Sequence, residues 1–530
     1  MVWRIYKGKS RRVSEPTHQK LPPHFASLLT PEAYPHETLE IRVVETHISW
    51  VLLTGRFAYK IKRPVRYPFV DLRSASKRKF LCEEELRLNR RFAPELYDAV
   101  VPVTSDAGRA RIGGEGEPID HAVRMCQFAP SEELAALIAE SCVTPNELRA
   151  FGLSLAAIHE RLPADTDGEF GTLQAVRATL ASNVEQLESV SQRTGVGQPL
   201  DEKVRESLPA LIERLSATIE GRKASGRVRE CHGDLHCRNI VRHAGKLLAF
   251  DCLEFEPAFR WIDVAHEIAF LYMDLRKRGA SRHAAAFLSA YLQASGDYEA
   301  ARLLPLYGAH CALVRAKVAA LGDPTSDDFT AYVDCAKSLL VPSRPVLVLM
   351  SGLSGSGKTW LATRVAPELG AIHLRSDVER KRLAGVDSLA STQSPVGGGA
   401  YASEMSSRTY RRLAECAADV LAGGLTVFVD ATFQRREDRA HFVRCAARAG
   451  VSLVLVRCRA PDAVLESRIR KRARSGTDAS EADLAVLDWQ RAHFEAIDPG
   501  EGLAVIDADT TSESVVADVK GRLAALASSG

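Results

Sequence analysis

An aspartate and an asparagine five residues apart stand near the middle of the chain. In the stretch ECHGDLHCRNIV, Asp234 follows His232 and Gly233 and precedes Asn239. A carboxylate can accept the proton of an attacking hydroxyl, and an asparagine at this spacing can bind Mg²⁺. The apolar run KLLAF then ends in Asp251, which would be a second metal-binding acid. A His-Gly-Asp turn alone is common, but these groups in this order predict phosphoryl transfer from ATP to a hydroxyl.

A lysine on an upstream strand could contact the phosphates of the same nucleotide. Lys60 ends the stretch Ala58-Tyr59-Lys60, which fits the A-x-K pattern of a kinase strand. Lys62 lies two residues further on the same face of the strand and could take that role instead. On the next helix, Glu84 or Glu85 would supply the ion-pair partner. The alternative is a solvent-exposed lysine and a solvated acidic turn.

The loop that covers the phosphates is predicted to be weak or differently built. No G-x-G-x-x-G pattern precedes the strand of Lys60, because VETHISWVLLTG contains only Gly55. This departure reduces the support for ATP contacts more than the support for a kinase fold.

A complete phosphate-binding loop follows the apolar run VLVLM in the C-terminal third. The motif G-x-x-x-x-G-K-[ST] is formed by Gly352, Leu353, Ser354, Gly355, Ser356, Gly357, Lys358 and Thr359. Backbone N–H groups of such a loop wrap the phosphates, the lysine reaches the β and γ oxygens, and the threonine can ligate Mg²⁺. Because a strand precedes the motif and a helix follows it, the motif predicts nucleotide binding rather than a simple glycine-rich turn.

Two acids further on could complete this second site. Asp430 ends the apolar strand TVFVD, where P-loop enzymes place the acid that holds the metal's water shell. Asp377 follows AIHLRS and could accept the proton of a substrate hydroxyl. Arg380, one turn later, could steady a phosphate or an anionic substrate. Either aspartate could instead simply cap a helix.

A basic helix follows the last of these acids. Within ESRIRKRARSG, Arg468 and Arg472 are spaced i and i+4 and therefore share one helix face. Such arginines suit a lid that closes over the transferring phosphate, since this chemistry needs mobile positive charge and the exclusion of water. A solvated basic face is the competing interpretation.

Hydrophobic patterns divide the chain into two predicted domains. Residues 40–72 alternate like a small antiparallel sheet, 74–92 have a helical pattern, and helices dominate 131–225 and 262–340. The breaker cluster of residues 342–345 is the predicted linker. Strands and helices alternate beyond it, which predicts a parallel sheet wound with helices. We therefore expect domains at 1–341 and 346–530.

The first domain resembles the aminoglycoside phosphotransferase family. Its signature H-G-D-x-H-x-x-N is matched by His232, Gly233, Asp234, His236 and Asn239, and Asp251 takes the place of the metal-binding acid. The resemblance covers roughly residues 40–340. It implies an α+β bilobal fold like that of protein kinases, and a family range that includes sugars, choline and other small alcohols.

The second domain resembles the small P-loop kinases grouped with zeta toxins, gluconate kinase and the 5′-hydroxyl polynucleotide kinases. The matching pieces are GLSGSGKT, RSDVERKRL, VDATF and the arginine-rich helix followed by DASEADLAVLDWQ. The resemblance implies an α/β fold with a parallel sheet. It would make Asp377 the base that activates the hydroxyl, Arg380 a phosphate contact, and Arg468 and Arg472 lid arginines.

Composition narrows the possible partners. The 530 residues carry 70 basic and 67 acidic side chains, a formal charge of +3, which disfavours nucleic acid and anionic membranes as partners. Eleven scattered cysteines are typical of reduced thiols. The polar N-terminal stretch lacks the apolar run of a secretory signal, and the longest apolar runs are only strand-length. We therefore expect a cytoplasmic protein without a membrane segment.

The sequence thus predicts a bifunctional kinase that uses ATP and Mg²⁺ to phosphorylate hydroxyls of small molecules such as sugars or polyols. Two alternatives stay open. One domain could be a nucleotide- or metabolite-binding module that regulates the other, or the P-loop domain could phosphorylate polynucleotide 5′-hydroxyls. The acceptors, the preferred nucleotide and the oligomeric state cannot be read from these residues.

Overall fold

The computed structural model describes most of the chain as two compact units. The residues that it describes are 21–67, 70–195, 200–322, 327–341, 344–386, 403–475 and 482–529. The described part of Met1–Glu147, Ile158–Gly279 and Leu306–Leu340 forms the first unit, and that of Leu148–Ala157, Ala280–Pro305 and Val341–Gly530 forms the second. Residues 342 and 343 of the predicted linker lie outside the described residues, as does the run Gly397-Gly398-Gly399.

The first unit contains a six-stranded antiparallel sheet. Its strand order is β1-β2-β3-β8-β6-β7. β3 carries alternating side chains, so Tyr59 and Ile61 pack into one apolar cluster while Ala58 packs into another on the opposite face. The strands up to this point are β1 Arg42–Glu45, β2 Ser49–Leu53, β3 Phe57–Lys62, β4 Arg66–Tyr67, β5 Val70–Asp71, β6 Tyr97–Asp106, β7 Arg109–Ile112 and β8 Glu117–Cys126.

Helices and two short hairpin-like pairs follow the sheet. β10 and β11 form a hairpin that ends two residues before Asp251, and β9 pairs with β12. These strands are β9 Val228–Glu230, β10 Ile240–His243, β11 Lys246–Ala249 and β12 Trp261–Asp263. The helices are α1 Ala75–Asn89, α2 Leu134–Ala139, α3 Pro145–Arg161, α4 Leu173–Thr194, α5 Glu202–Ala224, α6 Val264–Lys277, α7 Ser281–Ser295, α8 Ala300–Gly322 and α9 Asp328–Leu340.

The second unit is built on a five-stranded parallel sheet with the order β14-β15-β13-β16-β17. The strands are β13 Val346–Ser351, β14 Ile372–Arg375, β15 Val427–Asp430, β16 Ser452–Arg459 and β17 Ala504–Asp509. The helices are α10 Lys358–Glu368, α11 Ser376–Leu383, α12 Ser403–Ala422, α13 Arg436–Ala449, α14 Asp462–Ser475, α15 Leu484–His493 and α16 Val515–Ser529. β13 is buried along its whole length, as expected for a central parallel strand covered on both faces.

Helix α7 belongs to the second unit although it precedes the P-loop by more than 50 residues. The hydroxyl of Ser289 accepts a hydrogen bond of 3.0 Å from the backbone N–H of His373 on β14. The compact units therefore alternate along the chain. The domain boundary expected between 341 and 346 stays a prediction.

Among the described residues, no helix combines the length and the apolar character that crossing a bilayer requires.

Candidate active sites

The catalytic loop of the first unit brings Asp234 and Asn239 into direct contact. The Asn239 side-chain amide donates to the backbone carbonyl of Asp234 at 2.9 Å and to its carboxylate at 3.0 Å. The side-chain carbonyl oxygen of Asn239 is buried and accepts no hydrogen bond from the described residues. A buried oxygen without a donor is costly, and it is a suitable ligand for Mg²⁺.

His236 orients the aspartate from its other side. Its Nδ1 accepts the backbone N–H of Arg238 at 3.2 Å, so the ring proton of the neutral form is on Nε2. Nε2 lies 3.4 Å from the carboxylate of Asp234. Burial alone would raise the pKa of Asp234, but the neighbouring His236 and Arg315 outweigh it and hold that pKa below the ordinary value. The carboxylate is therefore ionised near neutral pH.

Glu267 on α6 holds the backbone of the catalytic loop. Its two carboxylate oxygens accept the N–H groups of His232 at 2.7 Å and Gly233 at 3.0 Å. Gly233 has φ +85°, and a Cβ at this position would lie 2.6 Å from the carbonyl oxygen of Phe259. The His-Gly-Asp turn therefore requires glycine for both its conformation and its packing.

Asp251 follows β11 in a left-handed conformation with φ +72°. Its backbone N–H donates to the hydroxyl of Tyr97 at 3.1 Å. Its carboxylate accepts Lys60 Nζ at 2.8 Å, and the same Nζ lies 2.7 Å from Glu85. A non-glycine residue with positive φ in a buried site is typical of a functional position whose surroundings enforce the strain.

The geometry distinguishes Lys60 from Lys62 and Glu84 from Glu85, which the sequence could not do. Glu85 bridges both lysines, since Lys62 Nζ lies 2.5 Å from its second oxygen and also contacts Glu254. Glu84 pairs with Arg87 at 2.9 Å instead. Only Lys60 of the two lysines contacts Asp251, so Lys60 and Glu85 are placed for the predicted nucleotide contact and Lys62 lies deeper.

An apolar pocket of about 170 Å³ adjoins Lys60. Asp251 lines this pocket, as does Cys126 at the end of β8. Gly55, at the position expected for the phosphate-covering loop, donates its N–H to the side chain of Gln127 at 2.9 Å. Other apolar lining residues are Val51, Leu53, Met125, Phe128 and Phe250. A pocket with these walls can hold a flat aromatic base.

The P-loop of the second unit curls around the Lys358 ammonium. Lys358 Nζ donates to the carbonyl oxygens of Gly352 at 2.8 Å and Leu353 at 2.9 Å. Burial lowers the pKa of Lys358. Gly355 and Gly357 have φ of +81° and +87°, conformations that the turn into α10 requires.

Thr359 and Asp430 meet at the carboxyl ends of the central strands. The Thr359 hydroxyl donates to the Asp430 carboxylate at 2.6 Å, and His373 Nε2 lies 3.2 Å from the same oxygen. Burial opposes the charge of Asp430, but the hydrogen bond with His373 contributes to lowering its pKa to about 2. A hydroxyl and an ionised carboxylate in contact are the ligand types that a P-loop offers to Mg²⁺.

Asp377 lies in the first turn of α11 and is not its N-cap residue. Arg380 Nη1 is 3.1 Å from its carboxylate. Both side chains line a pocket of about 560 Å³ together with Lys358, Thr359 and Asp430. The cap interpretation of Asp377 therefore fails, whereas its role as a base stays a prediction.

The two arginines of α14 line this pocket as well. Arg468 donates to the Thr510 hydroxyl at 2.8 Å and to the carbonyl oxygen of Gly355 at 3.2 Å. Arg472 donates to the carbonyl oxygen of Ala482 at 2.7 Å. Neither side chain belongs to a purely solvated face, so that interpretation fails, whereas the role of the two arginines in a lid stays a prediction.

Several supporting residues were not expected from the sequence. Gln490 accepts the N–H of Ser354 at 2.8 Å. His373, Glu254 and Glu267 contact Asp430, Lys62 and the backbone of His232, respectively, which are all distant in the sequence. His236 was named as part of the sequence signature, but its contact with Asp234 was not predicted. The others are single polar residues within apolar or charged segments, and no local pattern marks them.

The first unit therefore has a kinase-like fold, and the second has the fold of a P-loop kinase. Residues 66–304 match the model of the phosphotransferase enzyme family. Residues 347–497 match the model of an AAA domain, in a unit with a P-loop kinase fold. The expected fold class, a kinase-like region followed by a P-loop region with a parallel sheet, is confirmed.

Similar proteins include an uncharacterized protein from Mycobacterium tuberculosis and one from Mycobacterium bovis. Each is 29% identical over 472 residues, which cover 86% of this chain and 91% of the relative. An alignment of this length includes residues from both matched ranges, 66–304 and 347–497.

Two solved structures are similar to one region each. A choline/ethanolamine kinase family protein from Mesorhizobium loti is 14% identical, with a TM-score of 0.34 over 57% of this chain and 87% of that chain. The APS kinase of Mycobacterium tuberculosis in complex with AMPPNP and APS is 23% identical, with a TM-score of 0.26 over 36% of this chain and 100% of that chain.

Proposed function

We propose that the chain is a bifunctional ATP-dependent phosphotransferase in which each unit phosphorylates an alcohol group of a small molecule. One observation carries the proposal for both units: a buried, ionised aspartate is hydrogen-bonded to a side chain that can bind Mg²⁺. In the first unit these groups belong to Asp234 and Asn239, and in the second to Asp430 and Thr359.

In the first unit, bound ATP and Mg²⁺ would supply the transferable phosphoryl group and the charge that neutralises it. Asp234 accepts the proton of the acceptor hydroxyl, because its carboxylate is kept ionised and oriented by His236. Asn239 and Asp251 would hold the metal, Lys60 would contact the α and β phosphates, and the apolar pocket beside Lys60 would receive the adenine.

In the second unit, the residues from Gly352 to Thr359 bind the triphosphate through backbone N–H groups and Lys358. Asp430 and Thr359, which are hydrogen-bonded to each other, would hold the metal and its water shell. Asp377 accepts the acceptor proton, and Arg380 orients an anionic group. Arg468 and Arg472 bring positive charge to the transferring phosphoryl group.

The covalent linkage of two kinases suggests that they phosphorylate one metabolite or its derivatives in succession. The low net charge supports small acceptors over nucleic acid for the P-loop unit.

The proposal is tested with the full-length chain and a pool of sugars, polyols and nucleosides. Mass spectrometry follows phosphate-sized mass gains for the unmodified protein, Asp234→Ala and Lys358→Ala. We expect each variant to lose a different product. If Asp234→Ala loses every product and no product can be assigned to the first unit, the first unit would instead be a module that regulates the second. Binding to single-stranded nucleic acid that weakens strongly with salt would point to a polynucleotide substrate.

A further inference from the structure

A buried guanidinium lies beside the catalytic base of the first unit. Arg315 on α8 is 9% exposed, and its Nη1 lies 3.5 Å from Nε2 of His236. The same Nε2 lies 3.4 Å from the carboxylate of Asp234. Arg315 is therefore one imidazole ring away from the group that accepts the proton of the acceptor.

The hydrogen bonding of Arg315 is incomplete. Because Nδ1 of His236 accepts the N–H of Arg238, Nε2 carries the ring proton and offers no lone pair to the guanidinium. The Arg315 Nε is buried and has no hydrogen-bond partner. Its other described neighbour is Tyr332, whose ring centroid lies 5.7 Å from the guanidinium carbon. Burial opposes the charge of Arg315, but a hydrogen bond to the Tyr332 side chain and the charges of Asp234 and Asp274 raise its pKa.

Neighbouring cations have carboxylate partners, whereas Arg315 has none within ion-pair distance among the described residues. Arg278 pairs with Asp274 at 3.1 Å, and Lys277 pairs with Asp328. The hydroxyl of Tyr332 also donates to Asp274, at 2.9 Å. Buried charges are normally paired, because desolvation of an unpaired ion costs several kcal/mol.

We propose that Arg315 binds an anionic group of the acceptor, so that the first unit phosphorylates an alcohol that also carries a phosphate or a carboxylate. This inference rests on the proposed function of that unit. A guanidinium recognises such oxyanions through two parallel N–H bonds, which would satisfy the unpartnered Nε. The acceptor oxygen bonds to the γ-phosphorus as the bond to the ADP oxygen breaks, and the hydroxyl proton passes to Asp234.

The test uses the full-length Lys358→Ala protein, in which turnover by the P-loop unit is removed. Acceptors are compared in matched sets: glycerol, glycerol 3-phosphate and glycerate, then glucose, glucose 6-phosphate and gluconate, with ethanolamine as a cationic acceptor. We expect kcat/KM to be at least about tenfold higher for an anionic member of a set than for its neutral parent. The phosphate and carboxylate members distinguish the two anions.

Arg315→Met is expected to abolish this preference and to leave the KM for ATP within about twofold. Arg177→Met, which removes an exposed arginine paired with Glu213, is the control. A preference for neutral or cationic acceptors, or an unchanged preference in Arg315→Met, would overturn the proposal.

A binding measurement separates this inference from the proposed function. In the same Lys358→Ala background, glycerol 3-phosphate and inorganic phosphate are expected to raise the unfolding temperature in an Arg315-dependent manner. If no acceptor supports Asp234-dependent turnover but this stabilisation is present, the proposed function fails and the anion site stands. If neither anion stabilises the protein through Arg315, the anion site is refuted whatever the turnover.

Discussion

At the scale of single residues, two buried lysines of the first unit form ion pairs with the same glutamate. Glu85 accepts both Lys60 and Lys62, but their other partners differ: Asp251 for Lys60 and Glu254 for Lys62. The first pair lies at the predicted nucleotide site. The second is fully buried and ties the chain after Asp251 to α1.

Substitution of each lysine should therefore have a different effect. Lys60→Met is expected to lower kcat/KM for ATP on the order of a hundredfold, because a phosphate contact is lost. Lys62→Met leaves the Glu254 carboxylate buried without its cation, which should reduce the free energy of unfolding by about 3 kcal/mol. Steady-state kinetics and denaturant unfolding measure the two effects.

The double variant Lys62→Met/Glu254→Gln is the control, since it removes both charges and should recover most of the stability. If Lys62→Met abolishes turnover while folding normally and Lys60→Met does not, the assignment of the two lysines is reversed.

Glu267 gives the first unit a pH dependence. Burial raises its pKa to about 7 despite the two backbone donors. In the unfolded chain the carboxyl loses its proton near its ordinary pKa, so between about pH 4.5 and 7 the folded state binds more protons. Stability should therefore fall as pH rises through this window, by roughly 3 kcal/mol in total for this group.

We expect Glu267→Gln to remove that fall. The free energy of unfolding of the first unit is measured from pH 4.5 to 8 in the parent and the variant, and the difference between the two curves isolates the group. The exposed Glu213→Gln serves as the control. Parallel curves for parent and Glu267→Gln would show that the carboxyl is not protonated near neutral pH.

At the scale of elements, the catalytic loop is defined by a close approach of two backbones. Gly233 and Gly245 have similar φ, +85° and +78°, but only Gly233 has no room for a Cβ, because the Phe259 carbonyl lies 2.6 Å away. A Cβ at Gly245 would meet nothing within 4 Å. Substitutions at the two positions therefore distinguish the effect of backbone strain, which both share, from the effect of a steric clash, which occurs only at Gly233.

Gly233→Ala is expected to destabilise the protein by at least about 1 kcal/mol more than Gly245→Ala and to abolish Asp234-dependent turnover. Gly245→Ala should retain that turnover. Denaturant unfolding and acceptor-dependent ADP release measure the two outcomes. Equal losses in both variants would mean that strain alone explains the effect and that the approach to Phe259 has no role.

At the scale of the whole molecule, two nucleotide sites in one chain should be countable. Calorimetry with a non-hydrolysable ATP analogue and Mg²⁺ is expected to give two moles bound per mole of chain and one in Lys358→Ala. Chelation of Mg²⁺ should weaken both sites, because each places an acid and a second oxygen ligand at the metal position. One mole per chain in the unmodified protein, unchanged by metal, would contradict the tandem interpretation.

The sequence by itself determined the two folds and identified the proposed site residues that lie close together in the chain. The P-loop is contiguous, and Asp234 and Asn239 are five residues apart, so their spacing alone implies their chemistry. Only the tertiary structure decided among residues that differ by one or two positions. Glu84 and Glu85 are equally polar and about 100° apart on their helix, and Lys60 meets partners 25 and 191 residues away. Which carboxylate or guanidinium reaches a distant base depends on how helices and strands pack, and no local pattern encodes that.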